Sequence, residues 1–86
     1  DTRVDELSPE TVSVYPNPTE GRFTVVAGKH EVESIRLFDF TGKVILHTNW
    51  TGEEEQTFRL DHTAPGMYVI MLQTPGHVVR KKLIVE

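Results

Sequence analysis

Imidazole groups bind metals and transfer protons near neutral pH, so the four histidines are the first residues to weigh for chemistry. They are spread along the chain at positions 30, 47, 62 and 77. The pair closest to a ligand set is Asp61 and His62, but neighbouring residues of an extended chain point to opposite sides. We therefore expect His30, His47, His62 and His77 to be solvated, and we predict no metal site.

Three consecutive glutamates at 53–55 are the other cluster that could hold a cation. They lack the alternating Asp or Asn residues and the glycine of known calcium loops, which favours a solvated acidic loop. The sequence also contains no nucleophile elbow, no glycine-rich phosphate loop and no paired-carboxylate motif. An 86-residue chain has room for one core and little for a cleft. We predict a non-enzyme without catalytic residues or cofactors.

The basic cluster Arg80-Lys81-Lys82 is open to two interpretations. On a strand, Arg80 and Lys82 share one face and Lys81 takes the other. Cationic side chains on an edge strand discourage unwanted sheet pairing. The same cluster could instead be a recognition element that docks on an acidic receptor or a lipid head group. The two interpretations are compatible, because a partner can also extend an edge strand by β-augmentation.

Strands must position these side chains, because the apolar spacing typical of helices is almost absent. Short β-rich runs alternate with Gly, Pro and Asn, and they predict seven strands at residues 11–15, 22–27, 34–40, 43–48, 56–60, 67–74 and 77–85. Seven strands in so short a chain indicate an all-β, antiparallel, immunoglobulin-like sandwich. The run at 67–74 is apolar on both faces, which predicts a central strand.

Two sequence patterns predict turns, one after the first strand and one between the third and fourth strands. Pro16 and Pro18 remove two ladder donors and end the first strand, and Gly21 can turn the chain back. Asp39 and Gly42 have the positions typical of a type I turn, so the third and fourth strands should form a hairpin. Residues 1–10 are predicted to be a linker, and residues 11–86 a single domain.

The net charge and the first residues of the sequence limit the classes of protein to which the chain could belong. A net charge of −4 argues against a nucleic-acid-binding domain. No apolar run approaches the length of a spanning helix, and the polar start does not resemble a signal peptide. We expect either a cytosolic domain or a piece of a longer exported chain.

Four separated motifs favour the second of these options. They occur in the order VYPNPTEGRF (14–23), LFDFTGKV (37–44), APGMYVI (64–70) and KKLIV (81–85). In this order and spacing, the chain resembles the C-terminal sorting domain of cargo proteins of the type IX secretion system of Bacteroidetes. The resemblance covers residues 11–86.

The resemblance implies a seven-stranded sandwich that directs an attached cargo from the periplasm through an outer-membrane translocon. It further implies cleavage by a sortase-like cysteine peptidase in or before residues 1–10, and attachment of the cargo to anionic lipopolysaccharide at the cell surface. The attached cargo could itself be an enzyme. The family motif maps onto Pro16, Pro18, Gly21, Asp39, Gly42, Lys43, Gly66 and Tyr68. Its tail maps onto Lys82, Leu83, Ile84 and Val85, whereas Glu86 departs from the basic or neutral ending common in the family.

Most motif residues have structural explanations: the glycines suit turns, and Tyr68 should be a core residue with its hydroxyl bonded at the rim. We therefore predict recognition on the last strand, by Arg80, Lys81, Lys82, Leu83, Ile84, Val85 and Glu86. The alternative is an immunoglobulin-like adhesion or carbohydrate-binding module of a secreted enzyme, in which Trp50 would stack on a glycan. An accessible last strand also predicts a strand-swapped dimer.

Overall fold

The computed structural model describes residues 12–28, 31–51, 54–61 and 63–86. This part of the chain contains seven strands: Ser13–Tyr15 (β1), Arg22–Val26 (β2), Ser34–Phe38 (β3), Val44–Asn49 (β4), Glu55–Arg59 (β5), Gly66–Thr74 (β6) and His77–Val85 (β7). The described residues include no helix that is long and apolar enough to cross a membrane. The linker predicted for residues 1–10 lies outside the described residues.

The seven strands form two antiparallel sheets that pack face to face. One sheet has the order β1-β2-β5 and the other the order β4-β3-β6-β7. The predicted immunoglobulin-like sandwich is therefore confirmed, as is the central position of β6 in its sheet. β7 is an edge strand, and this determines which of its backbone groups a partner could reach.

Strand alternation builds the core. In β2, Phe23 and Val25 are buried, whereas the alternate residues Arg22 and Thr24 are not. The other long strands show the same alternation of buried and less buried residues. Phe23 stacks on Phe58 of the neighbouring strand, with ring centroids 5.6 Å apart. The remaining buried apolar side chains are those of Val12, Ala27, Ile35, Leu37, Tyr68, Ile70, Leu72, Val79, Leu83 and Val85.

The predicted turn between β3 and β4 is confirmed. The N–H of Gly42 donates to the carbonyl of Asp39 at 3.0 Å, and Gly42 has a φ of 92°. Asp39 Oδ1 accepts from the Thr41 hydroxyl at 2.6 Å and from the N–H groups of Thr41 and Lys43 at 2.9 and 3.0 Å. β3 ends at Phe38, two residues earlier than expected. Its register against β4 shifts between Leu37 and Phe38, just before the turn.

Other boundaries differ from the expected ones by one or two residues. β5 runs from Glu55, so the third glutamate of the acidic run belongs to a strand. Gly66, one of the glycines expected in turns, is the first residue of β6 and pairs with Val85. Residues 75 and 76 do form the predicted tight connection, since Thr74 pairs directly with His77.

Candidate recognition site

The predicted recognition strand lies at the edge of the four-stranded sheet. Arg80 and Lys82 are exposed and share the face that points away from the core, as expected from their spacing. Lys81 faces the other way and is half-buried. Neither Arg80 nor Lys82 forms an ion pair within the described residues, so both cations are available to a partner.

The end of β7 is less exposed than the sequence suggested. Leu83 and Val85 have 0% and 4% of their surface exposed and belong to the hydrophobic core. Ile84 is half-buried, and Glu86 is exposed. Of the seven predicted recognition residues, Leu83 and Val85 therefore position the strand rather than present side chains at its surface.

A short segment near the start of the chain covers the outer edge of this tail. In this clamp segment, residues 17–19, Asn17 Nδ2 donates to the carbonyl of Lys82 at 2.8 Å, and Oδ1 accepts from the N–H of Ile84 at 3.0 Å. The N–H of Thr19 donates to the carbonyl of Ile84, and the carbonyl of Thr19 accepts from the N–H of Glu86, both at 2.8 Å. Thr19 and Val85 thereby form a parallel bridge. The edge of β7 is closed from Lys82 onward.

The hydroxyl of Thr19 fixes the shape of this clamp segment. Thr19 is 1% exposed, and its hydroxyl donates to the carbonyl of Arg22 at 2.6 Å and accepts from the N–H of Gly21 at 3.1 Å. Gly21 has a φ of 132°, and a Cβ there would lie 3.1 Å from the carbonyl oxygen of Leu60. A side chain at position 21 would therefore be strained in both backbone conformation and space.

The prolines of the same motif frame a groove. The peptide bonds that precede Pro16 and Pro18 are cis. These two rings, with Glu20, Arg22 and Glu86, line a groove of about 450 Å³ beside the end of β7. The early motif and the tail motif, which are far apart in the sequence, thus form one continuous surface.

The clamp segment does not reach the first half of β7. The outward backbone groups of that half have no partner in the described residues. In an antiparallel ladder, successive residues direct their N–H and C=O groups alternately to the two sides of the strand. The backbone groups of Lys82, Ile84 and Glu86 that bond to the clamp segment point outward from the sheet. By the same alternation, the N–H and C=O groups of Val78 and Arg80 and the N–H of Lys82 also point outward. These groups form a short open edge flanked by the cations of Arg80 and Lys82.

Two of the remaining motif residues, Tyr68 and Asp39, make contacts within the fold. Tyr68 is 6% exposed, and its hydroxyl donates to the carbonyl of Ala64 at 2.6 Å. The Thr41 hydroxyl holds the pKa of the Asp39 carboxyl below its ordinary value of 3.8, together with the Lys43 and Thr41 N–H groups and the charge of Lys43. Lys43 is exposed beside this turn.

Two histidines can be placed. His47 on β4 and His77 at the start of β7 are both exposed, as expected. His30 and His62 lie outside the described residues. Within the described ranges, no three His, Asp or Glu side chains cluster as metal ligands would.

Trp50 was the candidate for glycan stacking, but the structure packs it against the core. Its ring centroid lies 6.3 Å from that of Phe58, and Nε1 is buried without a hydrogen-bond partner among the described residues. Stacking on a sugar requires an open aromatic face. The feature that favoured a carbohydrate-binding module is therefore not present at Trp50.

Sequence reasoning missed Asn17 and Thr19 as the residues that hold the tail. The sequence contained part of the signal, because both residues lie beside prolines. Prolines lack a backbone N–H, and polar side chains next to them often form the hydrogen bonds to the backbone instead. What the sequence did not contain was the identity of their partners on β7.

Comparison with known proteins agrees with the fold. A curated relative, the ulvan lyase NLR42 of Nonlabens ulvanivorans, is 29% identical over 84 residues, which are 96% of this chain and 16% of the relative. A solved structure of the CBM51-2 and INT domains of ZmpB from Clostridium perfringens shares the fold, with a TM-score of 0.65 and 19% identity over 80% of this chain and 17% of that one. The family model for the secretion system C-terminal sorting domain matches residues 13–86. The chain therefore belongs to the family of type IX secretion system C-terminal sorting domains.

Proposed function

We propose that this domain is an export signal that the outer-membrane translocon reads on the edge of β7. The observation that carries the proposal is the open edge from Val78 to Lys82, where backbone groups without a partner in the described part of the chain lie beside two exposed cations. Such an edge can accept a strand from a partner, while Arg80 and Lys82 select partners with acidic groups.

The clamp segment supports this proposal. It fixes the end of β7 through four hydrogen bonds and so presents the open part in one defined conformation. A preorganised edge loses less conformational entropy on binding than a mobile tail does. Leu83 and Val85 anchor the strand from the core side, and Lys81, Ile84 and Glu86 border the contact.

The fate of the cargo is part of the same proposal. Since the chain spans 16% of the curated relative it matches, we propose that it serves a larger exported protein. After passage from the periplasm, a sortase-like cysteine peptidase would cut within or before residues 1–10. The cargo would then be linked to anionic lipopolysaccharide on the outer surface or be released outside the cell.

The test is export of a periplasmic reporter fused in front of the domain, in a host with and without a type IX translocon. We expect surface export in the first host alone. The double charge reversal Arg80→Glu/Lys82→Glu should lower export by about tenfold or more, because like charges across an interface cost several kcal/mol. Deleting residues 83–86 is a poor test, since it removes Leu83 and Val85 from the core.

The matched control is Arg59→Glu, compared with Arg80→Glu and Lys82→Glu as single variants. Arg59 is an exposed arginine on β5 of the other sheet, so each single variant changes the net charge by the same amount. Export independent of the translocon would overturn the proposed function. Equal losses in the three single variants would place recognition elsewhere than on β7.

A further inference from the structure

The outward face of the four-stranded sheet has a composition unlike the rest of the domain. The chain contains thirteen acidic residues, yet none lies in β3, β4, β6 or β7. The same four strands carry Arg36, Arg80, Lys81 and Lys82. An overall net charge of −4 therefore conceals a sheet whose strands bear only positive formal charge.

Register places three of these cations on one surface. Directly paired residues share a face of the sheet, so Arg80, Met71, Arg36 and His47 form one row across all four strands. Arg80, Arg36 and His47 are exposed, and Met71 is half-buried. We call it the basic row after its two cations, Arg36 and Arg80.

The next row along the strands is mostly apolar. It consists of Lys82, Val69, Phe38 and Val44, about 7 Å from the basic row. Val44 is 48% exposed, while Val69 and Phe38 are half-buried. Lys82 occupies the β7 end of this row, so the positive charge continues along the edge strand.

The apolar surface continues to the end of the sheet. Met67 pairs with Ile84 in a third row and is 44% exposed, and Ile45 and Phe40 of the β3–β4 hairpin are 39% and 81% exposed. Scattered exposed apolar side chains are ordinary, whereas a contiguous patch beside a row of cations marks an interaction surface. The outward face of the other sheet is more mixed. Its central pair is Thr24 and Thr57, and around this pair lie the exposed Tyr15, the arginines Arg22 and Arg59 and the acidic Glu55.

We propose that this face, and not β7 alone, docks on a protein surface that presents carboxylates around an apolar centre. The proposal rests on the proposed function and deepens it, because it extends the recognition surface onto β3 and β6. Charge complementarity selects the partner: three cations, Arg36, Arg80 and Lys82, stand without ion pairs in the described residues.

Two other occupants fit less well. A second copy placed face to face would bring the same cations together, which is repulsive. An anionic membrane would meet Asp39 and Glu86, which follow β3 and β7 at the same end of the sheet as the apolar rows. A protein surface can place an acidic group opposite each cation and a basic group opposite Asp39 and Glu86. An anionic lipid surface would attract the cations but repel these two carboxylates.

The test uses two positions outside β7, in the same reporter fusion. Arg36→Glu reverses a cation of the basic row, and Val69→Ser removes an apolar side chain of the next row. The matched controls are Arg59→Glu and Val26→Ser, which change an exposed arginine and a half-buried valine on the outward face of the other sheet. We expect export to fall by about tenfold for Arg36→Glu and severalfold for Val69→Ser, with both controls near the parent level.

Folding and lipid binding are measured on the same variants. Circular dichroism and thermal unfolding must show Arg36→Glu to be folded at the assay temperature; if it is not, Arg36→Gln, which removes the charge alone, takes its place. Parent-level export of the folded Arg36 variant and of Val69→Ser would overturn the inference. If Arg80→Glu/Lys82→Glu still blocked export, the proposed function would survive that outcome. The parent domain is also sedimented with phosphatidylglycerol–phosphatidylethanolamine vesicles. Vesicle binding that is lost in Arg36→Glu would overturn the docking inference in favour of a membrane.

Discussion

The side chain of Asn17 accepts a hydrogen bond of 3.0 Å from the backbone N–H of Ile84, across 67 positions of sequence. The orientation of the carboxamide follows from chemistry, since its oxygen must meet an N–H and its nitrogen the carbonyl of Lys82. One side chain therefore joins the early proline motif to the tail motif of the family. The motif's conspicuous prolines frame this contact, and the residue between them makes it.

Asn17→Ala should loosen the end of β7. The variant loses both side-chain bonds, which are solvent-exposed, so we expect the free energy of unfolding to fall by about 1–2 kcal/mol. Amide hydrogen exchange at Ile84 should become faster while exchange in β3 changes little. Asn49→Ala, at an exposed asparagine at the end of β4, is the control. Unaltered protection of Ile84 in Asn17→Ala would contradict the assigned contact.

Thr19→Val should be more damaging than its small change in shape suggests. Valine keeps the volume but leaves the N–H of buried Gly21 and the carbonyl of Arg22 without the hydroxyl. We expect a loss of about 1–3 kcal/mol in chemical denaturation, because buried polar groups become unsatisfied. Thr19→Ser, which keeps the hydroxyl, should retain more of the stability. The reverse order of the two variants would show that the methyl group of Thr19 matters more than its hydroxyl.

Tyr68→Phe isolates the bond at the rim of the sandwich. The ring stays in the core, and only the donation to the carbonyl of Ala64 is lost. We expect the free energy of unfolding to fall by about 1 kcal/mol, with an unchanged denaturant slope. A stability equal to that of the parent would mean that water replaces the hydroxyl at Ala64 without loss.

The Asp39 turn predicts a pH dependence of stability. Because the folded-state pKa of Asp39 is lowered, its stabilising contribution is present above the unfolded-state value near 3.8 and is lost as the pH falls through the folded-state pKa. Asp39→Asn should be less stable than the parent at neutral pH, and the difference should shrink below that value. Thermal unfolding across this acidic range measures it, with Asp61→Asn as the charge control. A difference that does not vary with pH would exclude the linkage.

The sequence predicted the framework well because the relevant signals are local. Alternation of apolar and polar residues depends on positions two apart, and the Asp39–Gly42 turn is specified within four residues. The seven strands, the β3–β4 hairpin and the core position of Tyr68 followed from such patterns. The ends of the strands were harder to predict. The register shift between Leu37 and Phe38 depends on how β3 pairs with β4, which no single run of residues specifies.

The candidate site was harder to predict because it depends on pairs that are distant in the sequence. The spacing of Arg80 and Lys82 predicted their shared face, but the burial of Leu83 and Val85 depends on the opposite sheet. Trp50 likewise lies against Phe58 because of how the sheets stack. The strand-swapped dimer remains a prediction, and light scattering that stays at monomer mass across concentrations would reject it.

The clamp segment also determines when the domain can finish folding. A ribosome makes Asn17 and Thr19 before their partners on β7, since Asn17 is separated from its two partners by 65 and 67 positions. Closing a loop of that length costs entropy before the contacts offset it, and such non-local pairing makes folding slow. Since Leu83 and Val85 arrive with the same strand, a nascent chain that stops before β7 has an open sheet edge and an incomplete core. The domain can thus reach its folded state only after β7 has been synthesised, and a product truncated before β7 would not display it.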